Sequence, residues 1–328
     1  MNRRDFLKTG VIAAGAALSH GLWTPAQAAG EAVVAVAQNA GLEQMEEPQA
    51  TQAIRLLTFA AIADAVGAPS VQEAMRKLFQ PTDVVALKLN CIAPQIASQP
   101  AVVDAVVEAL TFAGVDPKNV IIFDKEDRDL AAAGYTCTAS GPGPLVYGTV
   151  GPTKNPGYEE RFTEQGKTAF CLSKIVTREA TAIINIPVIK HHTFAGMTCA
   201  LKNHFGSIHN PEDFHYLDGC NPAVADVNMA TALRQKQRLC VVDGIYLQYD
   251  GGPSYSAAHI AYYGSIIAST DPVALDTQVI LLLDMFRKQH NLPPLAEVVR
   301  PPKHVATAAS YGLGCGDPAR IRLAVRSA

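Results

Sequence analysis

Between residues 50 and 66 the apolar positions of ATQAIRLLTFAAIADAV recur every three to four residues, the rhythm of one buried helix face. Ser70, followed three positions later by Glu73, fits a capping box and predicts the start of a second helix. The rhythm then changes. Residues 83–90 read DVVALKLN, a short continuous apolar run of the kind expected of a strand buried on both faces. Residues 99–114, QPAVVDAVVEALTFAG, return to helical spacing, with Pro100 near the start and Gly114 at the end. NVIIFD over 119–124 is another buried strand. Strand, helix, strand in this order predicts a βαβ unit with parallel pairing.

The strand pattern returns at 182–187, 239–243 and 265–268, and a last strand is expected over 320–325. Thr270 or Asp271 caps a long helix after the 265–268 strand, with Pro272 at its first position. Residues 141–158, GPGPLVYGTVGPTKNPGY, are dense in Gly and Pro and predict a long irregular loop. Their G-x-G lacks the third glycine and the flanking strand and helix of a nucleotide fingerprint. The fold class is therefore α/β: a mainly parallel, Rossmann-like layered sheet with helices on both faces and irregular loop insertions. The expected organisation is a signal segment over 1–28, an N-terminal helical segment over 29–80 and an α/β domain over 81–328, with insertions at about 136–168 and 200–235.

The N-terminus, MNRRDFLKTG, resembles a twin-arginine export signal through Arg3, Arg4, Phe6, Leu7 and Lys8, and Ala26-Gln27-Ala28 supplies a small-residue cleavage site. Export to the periplasm through the machinery for folded proteins follows as an expectation, with cleavage near Ala28. The intervening apolar stretch is too short and weak for a stable membrane span. A formal charge of −3 offers no basic face for nucleic acid. The seven cysteines are scattered, with no C-x-x-C, no ferredoxin-type run and no zinc-ribbon spacing.

In an open parallel sheet, ligands bind beyond the carboxyl ends of the strands. Those ends carry Lys88 and Asn90, then Asp124, Lys190 with His191 and His192, Asp243, and Asp271. Polar residues are expected wherever a strand meets water, so no single one is diagnostic. Lys88, Lys190 and Lys202 together would attract a carboxylate or phosphate if the fold gathers them. Lys88 in Val-Ala-Leu-Lys superficially matches the kinase strand lysine, but the rest of that signature is missing. Residues 201–215, LKNHFGSIHNPEDFH, add His204, His209 and His215, spaced five and six apart, so any metal site would use loop ligands. With Glu212, Asp213 or Asp226 they would suit a divalent transition metal such as zinc, iron, nickel or copper. The same imidazoles could instead bond loop carbonyls and tie down the insertion, or one could move protons without metal. Gly251-Gly252-Pro253 could present backbone amides to an anion or simply turn the chain.

Four stretches in order, ALKLNCIAPQ, AIINIPVIKHHTFAGMTCALKNHFGSI, VVDGIYLQYDGGP and IIASTDPVALD, resemble the successive motifs of the DUF362 family, a domain of unknown function. The resemblance runs from about residue 83 to the C-terminus. It places Lys88, Asn90, Lys190, His191, Lys202, Asn203, Asp243, Asp271 and Asp276 on recurrent motif positions. Relatives often carry a twin-arginine signal or a ferredoxin-type iron–sulfur domain, and the cluster-binding cysteines of the latter are missing from this sequence. The resemblance sharpens the site and leaves the reaction open. The expected catalytic set is Lys88, Lys190, His191, Lys202 and Asp243. Asn90, Asn203, Gly251, Gly252 and Asp271 are the expected cofactor-binding set, and His204, His209 and His215 the metal ligands. Two functions compete: an exported enzyme acting on a small anionic substrate with a metal or redox cofactor, and a non-catalytic carrier or maturation protein serving a periplasmic redox partner.

Overall fold

The computed structural model describes residues 32–216 and 218–327, so the expected export signal lies outside the described residues. Strand β1 (Ala32–Gln38) leads into helices α1 (Gln49–Val66) and α2 (Val71–Leu78). Strand β2 (Val85–Lys88), helix α3 (Pro100–Thr111) and strand β3 (Val120–Phe123) form the expected βαβ unit, with β2 and β3 parallel. Helix α4 (Asp127–Ala132), strand β4 (Leu145–Val146) and the hairpin of β5 (Thr163–Gln165) and β6 (Thr168–Phe170) follow. Next come strands β7 (Ala182–Asn185), β8 (Val188–His192) and β9 (Gly196–Thr198), then helices α5 (Ala200–Asn203), α6 (Ala223–Met229) and α7 (Thr231–Lys236). Strands β10 (Gln237–Gln248) and β11 (Ile260–Ser269), helices α8 (Pro272–Gln289) and α9 (Lys303–Ser310), and strand β12 (Ile321–Ser327) complete the chain.

The main sheet runs β12-β1-β11-β10-β7-β2-β3-β4, with β8 paired to β10 and β9 paired to β8. Its pairings are parallel except where β11 meets β1 and β10 and where β9 meets β8. The pleat explains the continuous apolar runs. Val85 and Leu87 enter one core cluster with residues of α1, α2 and α3, while Ala86 enters a second core on the opposite face. Ile121 and Phe123 share that second face, and Val120 and Ile122 the first. Both faces are buried, so alternation between apolar and polar never develops. Among the described residues no single helix is long and apolar enough to cross a membrane.

Residues 29–80, expected to be helical, open instead with β1, which lies inside the sheet between β12 and β11. The AVVAVAQ stretch is too short for a buried helix and finds backbone partners on both sides. The two expected insertions hold more regular structure than loops: β4 lengthens the sheet beside β3, and 200–235 forms short helical segments.

Asp271 caps α8, its Oδ1 accepting from the amides of Val273 and Ala274 at 2.9 and 2.8 Å. Its Oδ2 accepts from the Cys315 amide at 2.8 Å and pins the C-terminal segment to the helix start. Both carboxylate oxygens of Asp271, expected to bind a cofactor, are thus engaged by backbone amides in a structural role. Asp271→Ala is expected to lower stability by about 1–2 kcal/mol, with Asp271→Asn keeping most of the cap. Urea denaturation of the variants checks this, and an unchanged midpoint in Asp271→Ala contradicts it.

Candidate site at the carboxyl ends of the strands

Lys88 closes β2 on the same face as Ala86, which is the side of the second core. An ammonium there needs a counter-charge, and β3 supplies it one residue beyond its end. Lys88 is 1% exposed, its Nζ donates to Asp124 Oδ1 at 2.7 Å and to the Leu89 carbonyl, and it stands over the Phe123 ring. Asp124 also accepts from the Cys91 amide at 2.7 Å and the Lys125 amide at 2.8 Å. Gly206 caps the pair so closely that a Cβ would lie 2.7 Å from Lys88 Nζ and 2.8 Å from Asp124 Oδ1. Only glycine lets the backbone approach to this depth.

From this anchor a ladder of amides crosses the sheet. Asn203 donates to the Lys88 carbonyl at 3.2 Å and to Asn185 Oδ1 at 2.7 Å. Asn90 donates to Asn203 Oδ1 at 2.9 Å, and Asn185 donates to the Ala200 carbonyl and to Gln237 Oε1. The free end of the ladder is Asn90 Oδ1, which accepts from Lys190 Nζ at 3.0 Å. Lys190 is 1% exposed.

Lys202, on α5, is 7% exposed. Its Nζ lies 3.3 Å from His215 Nε2 and 5.0 Å from the centre of the Phe205 ring. His215 stacks on His192, with ring centres 5.3 Å apart and planes within 7°. The partner of Lys190 is thus an amide oxygen and that of Lys202 an imidazole nitrogen. Among the described residues neither meets a carboxylate as Lys88 does. Burial, and then the neighbouring Lys202 charge, brings Lys190 down to about 8. Burial brings Lys202 to about 8 as well. His215 falls to about 4 through burial and then Lys202, and His192 is lowered by the same causes. His304, whose ring nitrogens meet no hydrogen-bond partner among the described residues, is brought to about 3 by burial and then by Lys202.

The three lysines expected to converge therefore share one buried region, together with Asn90 and Asn203. The other expected residues do not join them. His191 follows Lys190, so the pleat turns it to the opposite side. There its Nε2 lies 3.6 Å from Asp250 Oδ1, which is itself held by Arg287 at 2.8 Å. His192, two residues after Lys190, is the imidazole that shares its side, and period two was the signal for it. Asp243 accepts from the Gln99 amide at 2.9 Å and from the Ile245 amide at 3.3 Å, tying β10 to the start of α3. Burial lifts its carboxyl to about 6. Gly252 accepts from the Thr193 amide and hydroxyl, and a Cβ there would overlap the His191 carbonyl oxygen. With Gly251 at a φ of 73°, this turn packs against the end of β8 through the Gly252 carbonyl.

The three loop histidines separate. His204 is fully buried between Ser207 and Gln237, 3.2 and 2.6 Å away, and burial brings it to about 4. His209 accepts from the Cys171 amide at 2.9 Å and packs against Tyr158 and Phe162. Only His215 reaches the lysines. Among the described residues no three His, Cys, Asp or Glu side chains are grouped to hold a metal ion, so the donor set does not fit the expected metal. The 3-10 turns at His204–Ser207 and Pro211–Phe214 send these rings to different walls of the insertion. Asp124 and His192, expected at the strand ends but given no role, complete the region together with Asn185, Gln237, Gly206 and His304, which sequence reasoning did not name.

Two outcomes test this electrostatic description. Asp124→Asn strands the Lys88 charge and is expected to cost about 3–5 kcal/mol. Adding Lys88→Met to it should recover part of the loss in urea denaturation, and equal stability of wild type and Asp124→Asn would contradict the pairing. For Lys190 the folded value lies below the ordinary 10.5, so between about 8 and 10.5 the unfolded chain holds the extra proton. Stability therefore rises with pH across that window, and the cost is fully present below about 8. Relative to Lys190→Met, wild type should gain up to about 3 kcal/mol between pH 7 and pH 10.5. A constant difference between the two proteins contradicts the lowered value.

A family model described as "Domain of unknown function (DUF362)" matches residues 85–280, more than half of the chain. No curated protein matches it. Among solved structures, a structural-genomics protein from Thermotoga maritima is 10% identical, with 73% of this chain and 58% of that one covered at a TM-score of 0.37. The lactate racemase apoprotein from Thermoanaerobacterium thermosaccharolyticum is 12% identical, with 79% of this chain and 58% of that one covered, also at 0.37. The chain thus spans little more than half of either structure. The motifs that carry Lys88, Lys190, Lys202 and their amide ladder all fall inside the matched span, and this chain belongs to the DUF362 family.

Proposed function

We propose that this protein is an enzyme that binds a small anionic substrate between Lys190 and Lys202. One observation carries the reading: two buried amines lie in one electrostatic neighbourhood, each hydrogen-bonded to a neutral partner, with the Asp124 and Glu212 carboxylates acting on them without direct contact. Burying a charge without a counter-charge is costly, and a carboxylate or phosphate-sized ligand would relieve both sites at once. Lys88 is excluded from ligand binding because Asp124 already neutralises it. The amide ladder holds Asn90, and through it Lys190, in a fixed position before the ligand arrives, which limits the ordering cost of binding. His215 is half-buried and touches Lys202, so it can relay a proton between that amine and the ligand.

The scattered histidines give no support to a metal cofactor in this site, and the reading does not use one. Export to the periplasm through the twin-arginine route belongs to the same proposal. It rests on Arg3, Arg4 and the small residues before Ala29.

Calorimetric titration with inorganic phosphate, pyruvate and malonate at low salt tests the reading. At least one should bind, and Lys190→Met and Lys202→Met should each weaken binding by roughly ten- to a hundred-fold, the worth of a charge-assisted hydrogen bond. Affinity should fall as pH rises through about 8, where both amines lose their charge. Binding that is equally strong in both variants, or undetectable for all three anions in wild type, overturns it.

A further inference from the structure

The two anion-facing lysines are not equivalent, and neither resembles Lys88. Lys88 is ion-paired with Asp124 and donates to the Leu89 carbonyl. Lys190 donates to a single amide oxygen, Asn90 Oδ1. A neutral amine satisfies that acceptor with one N–H and keeps its lone pair free, whereas an ammonium there would bring three donors to one neutral acceptor. Asn90 cannot turn away, since its amide nitrogen is bound to Asn203, which is bound in turn to Asn185 and the Lys88 carbonyl. Lys202 is the neighbouring charge that acts most strongly on Lys190, and the effect is to favour the neutral amine. A desolvated lysine beside a second cation is an activated nucleophile toward carbonyl carbon.

We infer that Lys190 forms an imine with the carbonyl group of a 2-oxo acid whose carboxylate is held by Lys202. This rests on the anion-site reading above and narrows its substrate class to acids with an electrophilic carbonyl next to the carboxylate. The step balances without any redox partner. The Lys190 lone pair forms the C–N bond as the carbonyl π pair moves to oxygen. The carbinolamine then breaks its C–O bond as C=N forms. The two hydrogens given up by the amine leave with that oxygen as water, and no electrons are exchanged. Such an imine withdraws electrons from the adjacent carbon and so opens proton abstraction or decarboxylation to the bound acid. Lys202, 3.3 Å from His215, pairs with the carboxylate in its ammonium form, which the bound anion favours.

The full chain is incubated with pyruvate at pH 8, reduced with sodium cyanoborohydride, digested with a protease that does not cut at lysine, and analysed by mass spectrometry. The expected result is one peptide, carrying Lys190, heavier by the mass of pyruvic acid less one oxygen. Lys190→Arg, which keeps the charge, should retain pyruvate binding by calorimetry and lose the adduct. Lys202→Arg should keep the adduct at Lys190. Pyruvate bound but no adduct in wild type overturns the imine and leaves the anion site standing. An adduct on Lys202, or spread over surface lysines and persisting in Lys190→Arg, also overturns it. No binding and no adduct removes both readings.

Discussion

The ion pair between Lys88 and Asp124 is the contact on which the site depends. It joins the ends of two adjacent parallel strands across a desolvated gap, and a third segment, the backbone at Gly206, closes over it. A buried pair of this kind is weak evidence of net stability, because desolvation offsets much of the attraction. Its effect is positional. With Asp124 committed to Lys88 and to the Cys91 amide, the chain after β2 must turn where it does, and that turn carries Asn90 into the amide ladder. The ladder in turn fixes α5, which holds Asn203 and Lys202, against the end of β7. One neutralised lysine therefore sets the positions of two that are not neutralised.

The contrast among the three lysines is a contrast of acceptors. Each is nearly solvent-free, so hydration cannot explain why they differ. A carboxylate fixes the protonated form, whereas an amide oxygen or an imidazole nitrogen accepts from an amine almost as well as from an ammonium. Lys190 and Lys202 are thus poised between charge states at a pH where ordinary lysines are fully charged. The surrounding imidazoles follow the same logic in reverse. His192 and His215 stack beside an ammonium and are held neutral, which leaves ring nitrogens as acceptors and not as further positive charges.

Much of the frame was legible in the sequence because burial on both faces writes itself as unbroken apolar runs. The strands at 83–90, 119–124 and 182–187 and the helices at 50–66 and after Asp271 all follow from that pattern. Strand β1 was missed because AVVAVAQ is alanine-rich and lies close to an expected signal segment, and its sheet neighbours, β11 and β12, come from the far end of the chain. Spacing also could not show that His204, His209 and His215 diverge, since short 3-10 turns reset the direction of each ring. The convergence of Lys88, Lys190 and Lys202 was accessible from strand ends alone. The contacts that organise them were not, because the Lys88–Asp124 pair and the Asn90–Asn203 bond span separations of 36 and 113 residues.

The pleat resolves the remaining ambiguity about β8. Lys190, His191 and His192 are consecutive polar residues at the end of a buried strand, and a reading by residue type alone assigns all three to one site. Period two separates them: Lys190 and His192 face the lysine region, while His191 belongs with Asp250 and Arg287 on the other side. The Gly252 turn that braces the His191 carbonyl therefore acts on the site from behind the strand. A side chain at Gly252 would push on the backbone between Lys190 and His192, so this glycine controls where the lysine amine stands without contacting any ligand. Motif positions in such a family accordingly mix residues that face a substrate with residues that hold the strand carrying them. Only the alternation of the strand, read together with each side chain's hydrogen-bond partner, tells the two apart.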